Sequence, residues 1–202
     1  MIEFFQEDHS YQVDGIITPS VTTLIGSIWI PHKYDGISKS VLRKAADYGN
    51  RVHELIENCD GEMPEWYERK SEEGRALKNW LRVRDIWNVQ IQSCEQAVAY
   101  IGDDGLPMFA GMYDMVGTVG GKVALIDIKT TAKYDRSYLA YQLTLYKMAM
   151  EQMDEALHIE EGYCFHVPKK GIASLIQVPF LDPDVLRRDI KVWHSQKANQ
   201  SS

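Results

Sequence analysis

The sequence predicts an α+β fold on three observations. Apolar residues recur at helical spacing from Ser38 to Asn58 and from Glu65 to Trp87. The pattern then turns to alternation over three successive segments between Val89 and Thr130, and afterwards returns to a helix, a hairpin and a closing helix. Its 202 residues, 45% hydrophobic and 25% charged, are enough for one packed core, so we expect a single domain over 1–202. Within it we read an amino-terminal hairpin and entry segment over 1–37, a core over 38–196 and a frayed tail over 197–202.

Each element follows from its residues. Residues 1–18 alternate apolar and polar types around Asp14-Gly15, a hairpin signature, and Pro19-Ser20 suits a helix start before the apolar run Val21 to Ile30. Val41, Leu42, Ala45, Val52, Leu55 and Ile56 give the first long helix its stripe, with Gly49 marking a break or a close backbone approach. Leu77, Trp80, Leu81, Val83, Ile86 and Trp87 form the apolar face of the second, expected over Glu65 to Trp87. Val89 to Ile101, Met108 to Val119 and Lys122 to Thr130 read as an antiparallel meander with Gly-containing turns. Ser137 to Met153 is a third helix, a hairpin joins Gly162–Pro168 to Ile172–Phe180, and Asp182-Pro183 opens the last helix.

Composition excludes several functions. Cys59, Cys94 and Cys164 lie too far apart to suggest a disulfide framework or a zinc or iron–sulfur site. No run is long and apolar enough to span a membrane, and the chain opens with Glu3, Glu7 and Asp8, so we expect a cytoplasmic protein without membrane contact. A net charge of −7 argues against a general basic coat for nucleic acid, which leaves only local, metal-assisted DNA contact.

The chemistry concentrates in Gly111-Met112-Tyr113-Asp114, Ile126-Asp127-Ile128-Lys129 and Gln142-Leu143-Thr144-Leu145-Tyr146. Strand alternation puts Asp127 and Lys129 on one face and turns Ile126 and Ile128 to the other. A two-residue turn at Gly120-Gly121 pairs residues equidistant from it, which sets Asp114 opposite Asp127. Opposed carboxylates destabilise a sheet unless a cation lies between them. Oxygen ligands at this density select Mg²⁺ or Mn²⁺, ions suited to phosphodiester hydrolysis. Lys129 then orients the nucleophilic water or steadies developing charge. Gln142 and Tyr146, four apart on a helix, project from one face toward the same phosphate. Gly49 and His53 repeat that spacing upstream, and the His53 imidazole suits Mn²⁺ as a further ligand.

These residues resemble the PD-(D/E)xK nuclease superfamily, in the branch that includes RecB-type nuclease domains and phage lambda-type recombination exonucleases. Gly49…His53 resembles its helix histidine motif, Gly111…Asp114 its first aspartate, Asp127-Ile128-Lys129 its D-x-K pair and Gln142…Tyr146 its Q-x-x-x-Y helix, over roughly residues 45–146. The resemblance implies a restriction-endonuclease-like core, with a central mixed sheet whose antiparallel meander carries the acids and helices on both sides. It assigns metal binding to Asp114, Asp127 and the Ile128 carbonyl, and service of the attacking water to Lys129. Ile17-Thr18-Pro19-Ser20 is similar to the segment before the first helix in phage-type exonucleases, where a serine lies near a DNA phosphate. Tyr113 stands where the superfamily's name has proline, and the cysteines of its iron–sulfur-bearing relatives are absent, so no such cluster is expected.

The resemblance therefore implies a Mg²⁺- or Mn²⁺-dependent DNA exonuclease of phage or mobile-element recombination, with a single-strand annealing protein as partner and a ring-shaped homotrimer as one arrangement. An inactive nuclease fold serving in binding or assembly is the alternative. Glu95, in the strand before the aspartate hairpin, is a further metal-ligand candidate, and Lys33, Lys39, Arg43, Lys44 and Arg51 form a candidate basic patch for DNA alongside Ser20.

Overall fold

The computed structural model of the chain describes residues 1–5, 10–33 and 35–200, and the glutamate, aspartate and histidine at 7–9 lie outside them. Strands β1 (Ile2–Phe5), β2 (Ser10–Val13) and β3 (Ile16–Thr18) form a small antiparallel sheet, with Asp14 and Gly15 turning between the last two at positive φ. Ser20 caps α1 (Val21–Leu24) by accepting from the Thr23 amide at 3.0 Å, and the apolar run continues as a π-helical turn over Ile25–Trp29. The Ala110 amide donates to the Pro19 carbonyl at 3.0 Å, tying this entry segment to the main sheet.

Helix α2 (Lys39–Glu57) begins at the expected residue because the Ser38 hydroxyl accepts from the Val41 amide. Helix α3 (Glu72–Trp87) starts later than its apolar pattern suggests. Residues 64–71 form hydrogen-bonded turns instead, Tyr67 to Pro64 and Ser71 to Glu68, and the Ser71 side chain caps the helix at the Gly74 amide. Asn88, in the left-handed region at φ 49, closes α3 and redirects the chain into the sheet.

Five strands make that sheet in sequence order: β4 (Val89–Ile101), β5 (Pro107–Val119), β6 (Lys122–Lys129), β7 (Glu161–His166) and β8 (Ser174–Val178). Gly120 and Gly121 take φ of 59 and 90, as a two-residue hairpin turn requires. The β5–β6 register accordingly runs from Val119 opposite Lys122 to Met115 opposite Ile126. Helix α4 (Arg136–Met153) then crosses the sheet, so β7 joins β6 in parallel while every other neighbour is antiparallel. The closing helix α5 (Pro183–Gln200) continues through most of the segment expected to fray.

The layers are helix, sheet, helix. Val98, Val116, Leu125 and Cys164 face α1, α4 and α5 through Leu24, Leu139, Leu143 and Ile190. On the opposite face Met115, Ile126, Ile128 and Phe165 pack beneath Val52 and Ile56 of α2 and Leu77 and Trp80 of α3. Each such fully buried side chain stabilises by about 1.5–3 kcal/mol. The sheet therefore holds β6 rigidly on both faces, with Asp127 and Lys129 at its carboxyl end.

Candidate functional site

Asp127 is 2% exposed, on the same face of β6 as Leu125. The Lys129 ammonium donates to Asp127 Oδ1 at 2.8 Å and lies 2.7 Å from Oδ2. Backbone pairing between β5 and β6 stops at Met115, and one residue beyond it the Asp114 Oδ2 accepts from the Ile128 amide at 2.6 Å. A carboxylate thus takes the acceptor's place in the ladder, bringing Asp114 to the strand that carries Asp127. Burial pushes the Asp127 carboxyl up to about 6; the Lys129 ammonium opposes that rise and the Asp114 charge adds to it. Burial disfavours the Lys129 charge, but Asp127 and Asp114 outweigh it and hold the ammonium above its ordinary range.

A second group of donors converges from α2 and β4. His53 Nδ1 lies 3.7 Å from Asp114 Oδ1, and ligand atoms of His53, Glu57 and Glu95 fall within 4.8 Å of one another. The pairing of β4 with β5 sets Cys94 opposite Met115 and Gln96 opposite Tyr113, so Glu95 faces Asp114, with its backbone bent to φ 43. A non-glycine residue there costs on the order of 1 kcal/mol, and such bends recur at functional sites. Burial raises the Glu57 carboxyl to about 8, with the Glu95 charge next in effect. Glu57 Oε1 is buried and receives no hydrogen bond among the described residues. Oxygen donors, one imidazole and an oxygen without a donor fit a hard divalent cation.

Helix α4 packs on the face of the sheet that carries Asp127. Gln142 and Tyr146 are 7% and 5% exposed, and a hydrogen bond from Gln142 partly offsets the rise that burial imposes on the Tyr146 hydroxyl. A Cβ on Gly111 would stand 2.7 Å from Tyr146 Cε1 and 3.1 Å from Val21 Cγ2, so the glycine of one motif makes room for the tyrosine of another. Gly111→Ala should therefore lower stability by about 1–3 kcal/mol through overpacking, read as a drop in denaturation midpoint. In a Tyr146→Leu background most of that loss should disappear. An additive double variant would deny that the two residues are in contact.

A model of the PD-(D/E)XK nuclease superfamily matches residues 32–199. The chain belongs to this superfamily. No curated protein matches the sequence. Among solved structures, one titled "Crystal structure of SSO0001" is similar over 89% of this chain and 76% of its own, at 16% identity and a TM-score of 0.46.

As a PD-(D/E)XK nuclease the chain has the restriction-endonuclease-like α+β architecture, and the superfamily's activity is metal-dependent phosphodiester hydrolysis. The structure brings Asp114, Asp127, Lys129 and His53 together, sets Glu95 beside His53, and places Gln142 and Tyr146 under them in the core. Glu57 is the residue that sequence reasoning missed. It lies four positions after His53, so extending the Gly49–His53 face by one turn would have found it.

The DNA-contact candidates are more dispersed. Ser20 is 9% exposed and spends its hydroxyl on capping α1 and on Thr22 and Thr23. Arg43 and Lys44 are exposed on α2, whereas Arg51 is held by Glu73 at 2.9 Å. Lys33 lies with its ammonium 2.9 Å from the centroid of the Tyr138 ring, and burial lowers it to about 8, opposed by Asp135. Among the described residues no helix is long and apolar enough to cross a membrane.

Proposed function

We propose that this PD-(D/E)XK nuclease acts on DNA, as a Mg²⁺- or Mn²⁺-dependent exonuclease of phage or mobile-element recombination. The observation that carries the reading is the buried Asp127 paired with Lys129, with Asp114 bonded across to the same strand and His53 beside it. Asp114, Asp127, the Ile128 carbonyl and His53 are the residues that would hold the ion, with Glu95 and Glu57 as further candidate ligands beside His53. A bound divalent ion supplies Lewis acidity toward the scissile phosphate and a lowered pKa for water. Lys129 keeps its positive charge at the point where negative charge develops on the phosphate, or where the attacking water must be oriented. Gln142 and Tyr146, as buried neighbours, keep that face in shape and offer polar atoms to the substrate. We assign the whole of 1–202 to one nuclease domain.

Exonuclease action, a single-strand annealing partner and a ring-shaped oligomer are supported by the resemblance of the ordered motifs. A time course on end-labelled linear duplex and single-stranded DNA, beside closed circular DNA, tests the reading with Mg²⁺ or Mn²⁺. We expect linear substrates to shorten from their ends while circles persist. Circles cut as fast as linear DNA would make the enzyme an endonuclease, and no cleavage with either ion would leave a binding or assembly module.

A further inference from the structure

Beside the acidic cluster a groove of about 370 Å³ opens between three elements. Ala45 and Tyr48 of α2 form one wall, Thr130 and Ala132 a second, and Lys169 and Lys170 of the β7–β8 connection the third. We propose that this groove seats a nucleotide of the substrate strand a few positions from the scissile bond, with Lys169 and Lys170 meeting its phosphate. The inference rests on the nuclease reading above and adds to it a path for the DNA.

Continuity with the site is the first argument. Thr130 follows Lys129 directly, and Ala45, Gly49 and His53 succeed one another at four-residue intervals on one face of α2. A Cβ on Gly49 would sit 3.4 Å from Thr130 Oγ1, so the helix lies against the segment leaving β6. The groove is thus two helical turns from His53, roughly 12 Å along the axis. Phosphates of one strand advance about 3.4 Å per nucleotide along a duplex, which places the groove within about four nucleotides of the metal-ligand candidates.

Charge is the second argument. In a chain of net charge −7, the groove carries two lysines and one acid, Glu72. Lys169 Nζ lies 3.1 Å from Glu72 Oε2, but both side chains are about half exposed. An exposed pair of this kind contributes little, so a phosphate can replace the carboxylate at low cost. The walls are also held in advance. His166 Nε2 is 2.8 Å from the Thr131 carbonyl, Arg75 donates to the Lys169 carbonyl, and the Lys169 ammonium rests 4.1 Å above the Tyr48 ring. Tyr48 is 2% exposed and backs its wall of the groove, while the Ala and Thr methyl groups offer apolar contact to a sugar or base edge.

Ala45→Trp and Ala132→Trp fill the groove from two exposed positions on different walls. Binding of a short fluorescein-labelled duplex, followed by anisotropy in Ca²⁺, should weaken by about tenfold or more in each. Lys169→Gln with Lys170→Gln should weaken binding and lower the slope of log affinity against log salt by about two. Melting temperature and Mn²⁺ calorimetry, unchanged in all three, separate a blocked groove from a damaged cluster. If wild type binds and cuts DNA while both tryptophan variants bind as tightly, the groove assignment is overturned and the nuclease reading stands. An unchanged salt slope in the double lysine variant overturns the phosphate contact. A wild-type protein that neither binds nor cuts DNA overturns the nuclease reading and this inference together.

Discussion

Lys129→Ala should reduce DNA cleavage by about 10²- to 10³-fold, the loss typical when one preorganised donor to a developing charge is removed. The decrease should fall on turnover, because the ammonium acts where charge appears in the transition state and not where the substrate is held. The same variant separates chemistry from metal binding. Lys129 neutralises Asp127 in the metal-free protein at 2.7 and 2.8 Å, so it competes with any divalent ion for that carboxylate. Deleting it should leave Mn²⁺ affinity equal or higher in calorimetry. It should also lower metal-free stability, since Asp127 is then buried without its partner. The Lys129 side chain is 25% exposed, which reduces that loss below the 3–5 kcal/mol of a fully buried pair. Single-turnover cleavage at wild-type rate would remove Lys129 from the mechanism.

Much of this arrangement is legible in the sequence because it rests on local rules. The Gly120-Gly121 turn sets the β5–β6 register, and strand alternation then puts Asp127 and Lys129 on one face. Ser38 announces the start of α2, and the switch from helical to alternating periodicity at Asn88 marks the entry to the sheet. What stays hidden depends on tertiary placement. Nothing local announces that Glu95 adopts a left-handed backbone or that its carboxylate meets Glu57 from another element. The family resemblance implied a mixed sheet, but which pair is parallel is set by the path of α4 over the sheet, not by any residue in β7. Gly111 and Tyr146 read as two separate motif residues until the structure shows one filling the space the other leaves.

Metal binding and metal-free stability pull in opposite directions at this cluster. Asp114, Asp127, Glu57 and Glu95 gather around the His53 imidazole and the Lys129 ammonium, an excess of negative charge that folding alone would not favour. The surrounding core, with Trp80 and Phe165 packed edge to face at 5.0 Å, supplies the compensating stability.

The largest effect on stability should therefore appear when pH and metal are varied together. Burial raises the Asp127 carboxyl from its ordinary 3.8 to about 6 and the Glu57 carboxyl from 4.5 to about 8, with neighbouring carboxylates adding to both. Each binds its proton more tightly in the folded chain than in the unfolded one. Their contribution is fully present below the ordinary carboxylate range and is lost as pH rises through about 6 and then about 8. Carboxyls shifted downward, such as Glu73 beside Arg51 and Glu161 beside Lys122, act below about pH 4.5 and leave this window clear. The metal-free melting temperature should accordingly decline between pH 5 and pH 8. Saturating Mn²⁺ should restore it, more at pH 8 than at pH 5, by about 2.7 kcal/mol at a hundredfold excess over Kd. Glu57→Gln should raise the metal-free melting temperature at pH 8, because its amide donates to Glu95 where a carboxylate repels it. Asp127→Asn should lower Mn²⁺ affinity and flatten the part of the profile near pH 6. Thermal melts in EDTA and in Mn²⁺ across this range, with calorimetric titration of each variant, measure all four effects. A profile flat with pH, and equal with and without Mn²⁺, would mean that these carboxylates carry no unbalanced charge and hold no ion.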